Sequence, residues 1–247
     1  MADRRFGGVA RLFGLRGAQQ ICDAHVAVVG IGGVGSWVAE SLARSGVGQL
    51  TLIDFDQVAE SNINRQIHAT EASLGQAKVD AMQQRIHSFY PECQVNCVEA
   101  FAEPDNWPNV LPAGVNAVVD ACDQTGSKTV IAAWAVRTGT IHVAVGAAGG
   151  KRHAQLATVA DLAEVTHDPL LAKVRYRLRK EYTSPRAGEK MGVVCVYSPE
   201  SVAAPDESCG LVGDGSLNCH GFGSLVTVTA TFGQCAAGYV LNKLAAS

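Results

Sequence analysis

A glycine-rich turn and an acidic residue near the start of the chain have the spacing of a nucleotide-binding unit. The apolar run 26–29 leads into the turn, whose glycines are Gly30, Gly32, Gly33 and Gly35. A helix-compatible stretch follows, and a second apolar run, 50–53, ends on Asp54. Glycines let a backbone approach phosphates, a helix N-terminus attracts anions, and an acid about 20 residues later can bind ribose hydroxyls. This segment therefore predicts a site for a nucleotide that contains ribose and phosphate.

Polar and cationic residues after Asp54 favour a triphosphate over a dinucleotide. In chain order they are Asp56, Asn62, Asn64, Arg65, Gln66 and Lys78. Arg and Lys can neutralise β- and γ-phosphates, and a carboxylate such as Asp123 can hold Mg²⁺. A nicotinamide oxidoreductase would need only the turn and Asp54, and the sequence contains no evident hydride-transfer residues. A non-catalytic module that senses ATP is a further alternative.

Alternating strand and helix patterns predict an α/β fold, a Rossmann-like doubly wound and mostly parallel sheet. Predicted strands are 26–29, 50–53, 94–98, 115–120 and 141–145, and predicted helices include 72–90 and 128–137. Ligands of such sheets bind beyond the carboxyl ends of the strands. Asp120 and Asp123 fall at such an end, as do the glycine turn and Asp54, so we expect all of them at one site.

Length and composition indicate one domain with an elaborated C-terminal third. The 247 residues divide into an N-terminal arm and helix (1–24), a nucleotide-binding core (25–150) and a C-terminal substrate or crossover region with a final helix (151–247). Within the last part, 187–216 is typical of a long surface loop, and the uncharged segment 221–242 favours a buried helix over a membrane span. The absence of an apolar signal core predicts a cytoplasmic protein, and the net charge of −3 argues against a strongly basic surface overall.

The motifs GIGGVGS, DFD, NINRQ, Lys78 and DACD, in this order, resemble the adenylating domain of ubiquitin-activating enzymes and of the bacterial molybdopterin- and thiamine-biosynthesis adenylyltransferases. The resemblance covers roughly residues 5–150. It implies binding of ATP and Mg²⁺, attack of a carboxylate on the α-phosphate, and release of pyrophosphate. By this resemblance Asp54 holds the ribose, Arg65 and Lys78 contact phosphates, and Asp123 binds Mg²⁺.

The resemblance also implies a homodimer in which an arginine from one subunit completes the site of the other. Arg11 matches that arginine, and Arg5 is a less favoured candidate. Such a cation would stabilise the charge that develops on the α-phosphate. We therefore place Arg11, Arg65, Lys78 and Asp123 among the catalytic candidates.

Further segments along the whole chain resemble the tRNA threonylcarbamoyladenosine dehydratase branch of this superfamily. They are RFGGVARLFG, NRQIHA, GAAGG, DPLLAKVRYRL and GFGSLVTVTATFG. This closer resemblance implies that ATP activates the threonyl carboxylate of N6-threonylcarbamoyladenosine in tRNA, and that the side chain then cyclises with loss of AMP. The alternative is adenylation of the C-terminal glycine of a ubiquitin-like sulfur carrier, with a sulfur-transfer-type protein as partner.

A basic segment in this otherwise acidic chain predicts a tRNA-binding surface. Its members are Lys173, Arg175, Arg177, Arg179 and Lys180. Phosphate contacts from such residues set affinity and its salt dependence. The alternative is a solvated surface helix or a mobile crossover loop, with charges spread over more than one face.

The eight cysteines include no Cys-x-x-Cys pair, so no structural zinc is predicted. On spacing alone, Cys195, Cys209 and Cys219 could be metal ligands or nucleophiles, but unreactive thiols are the favoured interpretation. We expect His68 and His142 to be structural or to support the site from behind.

Overall fold

The computed structural model describes residues 4–182, 185, 188–204 and 222–247. The helices are α1 (Gly7–Asp23), α2 (Gly35–Arg44), α3 (Lys78–His87), α4 (Thr125–Thr138), α5 (Pro169–Glu181) and α6 (Val226–Ala245). The strands are β1 (His25–Val29), β2 (Gln49–Ile53), β3 (Gln94–Val98), β4 (Ala117–Asp120), β5 (Ile141–Val145), β6 (Thr158–Asp161) and β7 (Val194–Tyr197).

Within these residues the strands form one sheet in the order β3-β2-β1-β4-β5-β7-β6. Every pairing is parallel except that of β6 with β7, which is antiparallel. The chain moves outward from β1 to β3, then returns to place β4 on the other side of β1. This reversal is the switch point at which doubly wound sheets bind ligands. The prediction of a Rossmann-like, mostly parallel α/β sheet is confirmed.

Both faces of the central strands are covered, which explains why their sequences are continuous apolar runs. Val26 and Val28 of β1 pack into a core with residues from α2, α3 and α6. Ala27 and Val29, on the opposite face, pack with Ile131 of α4. Leu171 of α5 belongs to a smaller cluster beside α4, β5 and β7. The sheet thereby holds the carboxyl ends of β1, β2 and β4 rigidly side by side.

Several element boundaries differ from the sequence prediction. The helix predicted at 72–90 begins at Lys78, because Gly75 adopts φ of +80° and interrupts helical geometry before it. β7 lies inside the predicted loop 187–216, where four apolar residues flanked by loop-forming residues were too short a run to indicate a central strand. Most of the rest of that predicted loop, 205–216, lies outside the described residues.

The uncharged segment near the C-terminus forms α6, a buried helix as predicted. Val228, Phe232 and Val240 are fully buried on its inner face. Gly233 packs so closely on α2 that a Cβ there would lie 2.7 Å from Cβ of Trp37. In the part of the chain that the structure describes, no helix combines the length and the apolar character needed to cross a membrane.

Candidate functional site

The glycine turn joins β1 to α2 at the switch point of the sheet. Gly30 adopts φ of +85°, and a Cβ there would lie 2.9 Å from the backbone of Ala121 and Cys122 after β4. A Cβ on Gly35 would lie only 1.7 Å from the carbonyl oxygen of Gly30. These two glycines are therefore required for the backbone to close. A Cβ on Gly32, by contrast, would enter open space, which leaves room for a ligand against the turn.

Asp54 holds the turn from the neighbouring strand end. Its Oδ2 accepts a hydrogen bond from the backbone N–H of Ile31 at 2.6 Å, and its Oδ1 accepts one from Asp56 at 2.8 Å. The carboxylate is nearly buried, and burial raises its pKa while the nearby Lys78 ammonium opposes that rise. Asp54, the acid predicted to bind ribose, thus lies directly beside the glycine turn.

Lys78 lies at the first residue of α3, facing the loop after β2. Its Nζ contacts Oδ2 of Asp56 at 2.6 Å, and its backbone N–H donates to the carbonyl of Asp56 at 3.0 Å. The Lys78 side chain is 8% exposed, whereas that of Asp56 is 54% exposed. The exposed carboxylate of Asp56 therefore fixes the Lys78 ammonium, whose orientation does not depend on a ligand.

Arg65 lies against the glycine turn through its aliphatic stem. A Cβ on Gly33 would lie 3.3 Å from Cγ and Cδ of Arg65. Nη1 donates to the carbonyl of Ser61 and to Oδ1 of Asn64, while the buried Nε has no hydrogen-bond partner. The neighbouring Gln66 is also buried, with an unpartnered Oε1. Unsatisfied polar atoms in such a position are typical of a site that a ligand completes.

The two asparagines of the NINRQ segment have structural partners. Asn62 Oδ1 accepts from the backbone N–H of Ala59 at 3.1 Å and so closes a short 3₁₀ turn over 60–62. Asn64 Nδ2 donates to the carbonyl of Ser224 at 3.0 Å, which ties this loop to the segment before α6. Both residues also contact Arg65, since Asn64 Oδ1 accepts from its Nη1 and the carbonyl of Asn62 accepts from its backbone N–H.

The acids after β4 occupy two different environments. Asp120 is fully buried, and Lys128 Nζ contacts its Oδ1 at 2.9 Å in an ion pair with no exposed surface. Asp123 is exposed, two residues before α4 begins. Asp120 therefore lies beneath the strand end rather than at the surface, although its Oδ2 has no hydrogen-bond partner. Asp123 is placed where a solvated cation could reach it.

Arg11 and Arg5 differ in whether their own chain holds the side chain. Arg5 donates to Glu92 Oε2 at 2.7 Å and to the carbonyl of Phe89, so its own chain holds it. Arg11 is exposed on α1, as are Leu12 and Leu15 at 77% and 79%; Gly14, with φ of +74°, kinks the helix between the two leucines. This geometry leaves Arg11 available to another subunit, and that role stays a prediction.

The basic segment forms α5, an amphipathic helix with one buried face and with basic side chains on more than one of its other faces. Leu171, Val174 and Leu178 are buried. Arg175 donates from Nη1 to the carbonyls of Leu162 and Val165, so its guanidinium supports the fold. The remaining basic side chains are Lys173, Arg177, Arg179 and Lys180. Lys173, Arg179 and Lys180 are exposed, and Arg177 is half-buried.

Arg177 connects α5 to the nucleotide-binding half. It pairs with Glu181 through two hydrogen bonds of 3.0 Å. Its Nη1 also lies 3.5 Å from the position a Cβ would take on Gly126. Gly126 is in the first turn of α4, three residues after Asp123. The basic helix therefore lies beside the loop that carries the candidate metal ligand.

His68, His142 and Cys195 are buried, and burial shifts the pKa of each side chain. Burial lowers the pKa of His68 and His142 to about 4, so both are neutral at physiological pH. Cys195 is buried in β7, and burial raises the pKa of its thiol. Cys209 and Cys219 lie outside the described residues. In the described ranges, no cluster of three or more His, Cys, Asp or Glu residues could hold a metal ion by itself.

Sequence reasoning missed several buried charges, among them Lys128, Lys151 and Asp168. Lys128 pairs with Asp120 under the site, and Lys151 donates to three backbone carbonyls, those of His167, Ser198 and Glu200. Asp168 caps α5 by accepting from Leu171, and its other oxygen accepts from Ala147. The Asp-Pro pair before α5 was a readable helix-start signal. No comparable signal marks Lys128, whose partner Asp120 lies eight residues earlier, or Lys151, whose partners are backbone carbonyls 16 to 49 residues later.

Comparison with known proteins places the chain in a family. The model of the ThiF family matches residues 7–246. A tRNA threonylcarbamoyladenosine dehydratase of Escherichia coli is 43% identical, covering 98% of this chain and 94% of that protein. One of Haemophilus influenzae is 40% identical over the same shares. The structure of the E. coli dehydratase in complex with ATP has a TM-score of 0.89 at 42% identity, again covering 98% and 94% of the two chains. The chain therefore belongs to the ThiF family, in its tRNA threonylcarbamoyladenosine dehydratase branch.

Proposed function

We propose that the protein catalyses the ATP-dependent dehydration of N6-threonylcarbamoyladenosine in tRNA. One observation carries the proposal: a glycine turn clamped by Asp54, with Lys78 and Arg65 beside it, lies in a chain that matches such dehydratases over nearly its whole length. The turn and Asp54 fit ATP because Gly32 leaves open space and because buried polar atoms of Arg65 and Gln66 lack partners. In this proposal residues 1–247 act as a single adenylating domain.

Binding and orientation fall to residues that are already fixed. The turn backbone and the N-terminus of α2 face phosphate oxygens, and the first turn of α2 contains no acidic residue to oppose them. Asp54 lies beside the turn, where the ribose hydroxyls of an ATP bound through its phosphates would reach it. Lys78 and Arg65 bring positive charge to the phosphates, Arg65 through a guanidinium that can bond two oxygens at once.

The threonyl carboxylate attacks the α-phosphate, forming a P–O bond to the carboxylate and releasing pyrophosphate. A nucleophile within the same modified side chain then attacks the acyl carbon, and AMP leaves. This second step needs no nucleophile from the protein because the reacting groups are tethered to each other. The chain's contribution is to orient the carboxylate and to stabilise negative charge at the α-phosphate.

Mg²⁺ fits the exposed carboxylate of Asp123. Mg²⁺ is usually bound by one or two carboxylates together with substrate phosphates and waters, rather than by a complete protein cage. A single exposed acid in the loop between β4 and α4 suits that pattern. When bound, the ion would supply positive charge to the phosphates, while Asp123 fixes its position relative to the turn.

A homodimer with Arg11 acting in the neighbouring subunit completes the proposal. Two large apolar side chains, Leu12 and Leu15, are exposed in the same segment as Arg11, which supports an interface there. Basic side chains of α5 would contact tRNA phosphates. The tRNA substrate also favours a cytoplasmic location. A sulfur-transfer-type protein partner stays a prediction from the family resemblance.

The test is mass spectrometry of tRNA nucleosides. A tRNA that contains N6-threonylcarbamoyladenosine is first incubated with the protein, ATP and Mg²⁺. We expect loss of one water from the modified nucleoside and one AMP formed for each product. In parallel, pyrophosphate exchange should depend on the modified tRNA and not on a carrier protein ending in Gly-Gly. Exchange with the carrier alone, without change in the nucleoside, would replace the dehydratase with the sulfur-carrier alternative.

A further inference from the structure

One strip of α5 lines two adjoining surface cavities. The smaller, about 340 Å³, includes His167, Ala172, Arg175 and Val202 in its lining. The larger, about 470 Å³, is lined among the described residues by Ala172, Arg175, Tyr176, Arg179 and Lys180. Ala172 and Arg175 belong to both, so the two cavities adjoin there, and the larger one forms a groove along α5.

The spacing of this strip shows that its members share a helix face. Positions 172, 175, 176, 179 and 180 follow the i, i+3, i+4, i+7, i+8 pattern of a single stripe. Lys173 and Arg177 lie on a different strip, which leads to Glu181 and the start of α4. The basic helix therefore presents two charged surfaces with different surroundings.

Tyr176 is the unusual member of the groove strip. Its side chain is 65% exposed, and the Nζ of Lys180 lies 5.8 Å from its ring centroid. Arg179 and Lys180, one turn further along, are exposed. Arg175 does not add a free cation here, because its guanidinium donates to the carbonyls of Leu162 and Val165. The groove therefore combines one exposed aromatic ring, over one face of which Lys180 lies, with two solvent-facing cations.

We propose that Tyr176, Arg179 and Lys180 form a subsite for one unpaired nucleotide of the RNA substrate, with the base stacked on Tyr176 and its phosphate against the two cations. Single-stranded nucleic acids are bound by this combination of aromatic platforms and basic grooves, whereas paired bases are shielded from stacking. The inference rests on the proposed function for its substrate class. It assigns to Tyr176 a role that charge alone would not reveal.

The subsite has a different consequence from a general basic patch. A patch of phosphate contacts would bind a paired stem as well as a loop and would weaken uniformly with salt. A stacking subsite requires an unpaired base and retains part of its preference when salt screens the cations. The groove should therefore distinguish an anticodon stem-loop from a duplex of the same length.

The test uses stem-loop RNAs carrying 2-aminopurine at one loop position at a time, titrated with full-length protein without ATP. Stacking should quench the fluorescence at one loop position with wild type and with Tyr176→Phe, but not with Tyr176→Ala. Affinity of Tyr176→Ala should fall by about tenfold, a typical loss for one stacked base. Arg179→Gln and Lys180→Gln should weaken binding and lower its salt dependence, while Arg137→Gln, an equal loss of charge on α4, should not.

Failure of this inference is distinguishable from failure of the proposed function. If the wild-type protein forms product, but Tyr176→Ala binds RNA with unchanged affinity and quenching, the subsite is overturned and the dehydratase stands. If the wild-type protein forms no product, but Tyr176→Ala loses the quenching that wild type shows, the dehydratase is overturned and the subsite stands. If Tyr176→Ala loses thermal stability, Tyr176→Gln is measured in its place, and unchanged quenching there overturns the subsite equally.

Discussion

The nucleotide-binding half and the C-terminal third both bury charged and polar residues, but the hydrogen bonding of these residues differs between the two regions. Near the glycine turn, Arg65 Nε and Gln66 Oε1 are buried without partners. In the C-terminal third, Lys151 donates to three carbonyls, and both carboxylate oxygens of Asp168 accept backbone hydrogen bonds. The unpartnered atoms of Arg65 and Gln66 are candidates for contact with a ligand, whereas the saturated groups of Lys151 and Asp168 hold loops together. The same residue types therefore serve binding in one region and architecture in the other.

The largest effect should come from Asp123. Asp123→Ala is expected to abolish AMP formation, because it removes the proposed Mg²⁺ ligand, and to leave the melting temperature unchanged, because the side chain is exposed. The control is Asp23→Ala, another exposed acid at the end of α1. Normal AMP production by Asp123→Ala would remove this residue from the mechanism.

Next, the two cations beside the turn should each matter for ATP use. Lys78→Met and Arg65→Ala are each expected to lower kcat/KM for ATP by roughly a hundredfold, since each deletes a charge directed at phosphate oxygens. Lys243→Met and Arg137→Ala remove equal charges from exposed positions and should have little effect. Unchanged ATP kinetics in both site variants would show that neither cation contributes to ATP use.

Arg11 tests whether the nucleotide-binding half is complete within one chain. Arg11→Ala and Asp123→Ala subunits are each expected to be inactive, and mixing them should restore part of the activity, since a mixed dimer has one site with both groups intact. Activity is measured after subunit exchange has been confirmed by native mass spectrometry. If exchange occurs without recovery, Arg11 does not act across the interface.

In the C-terminal third, the expected effect is on stability rather than catalysis. Lys151→Met should lower the free energy of unfolding by about 3 kcal/mol, because three carbonyls lose a buried donor. ATP affinity, measured separately, should hardly change. Urea denaturation gives the first quantity and calorimetry the second. A large loss of ATP affinity in a folded Lys151→Met protein would erase the distinction between the two regions.

The smallest effect concerns pH and both buried histidines. Their pKa values lie near 4 in the folded protein, below the usual 6.5, because burial disfavours the imidazolium. A lowered folded pKa means that the stability is complete above pH 6.5 and is lost as the pH falls toward 4. Between pH 7 and pH 5 we expect roughly 2 kcal/mol of loss for each histidine. His68→Gln and His142→Gln should each flatten the pH dependence of urea unfolding; an unchanged slope would contradict the shift.

Sequence reasoning located the core strands and the nucleotide unit because both depend on local patterns. Strand 94–98 and strand 141–145 were predicted with the bounds that the structure has. The C-terminal third was less readable, since β6 and β7 are four-residue strands whose pairing depends on partners distant in the chain. Likewise, Asp54 could be named from its spacing, but nothing local to Asp120 indicates that Lys128 buries it. Interactions with distant or backbone partners are those that periodicity cannot predict.

The contrast within the glycine turn has a consequence for mutational tolerance. A side chain at Gly35 would collide with the backbone of Gly30, so every substitution there acts on folding and lowers the amount of protein in a cell. A side chain at Gly32 meets only open space, so the protein would accumulate normally while the ligand lost its place. Two glycines in one motif would thus be constrained by separate pressures, one visible as abundance and the other only as growth that depends on the modified tRNA.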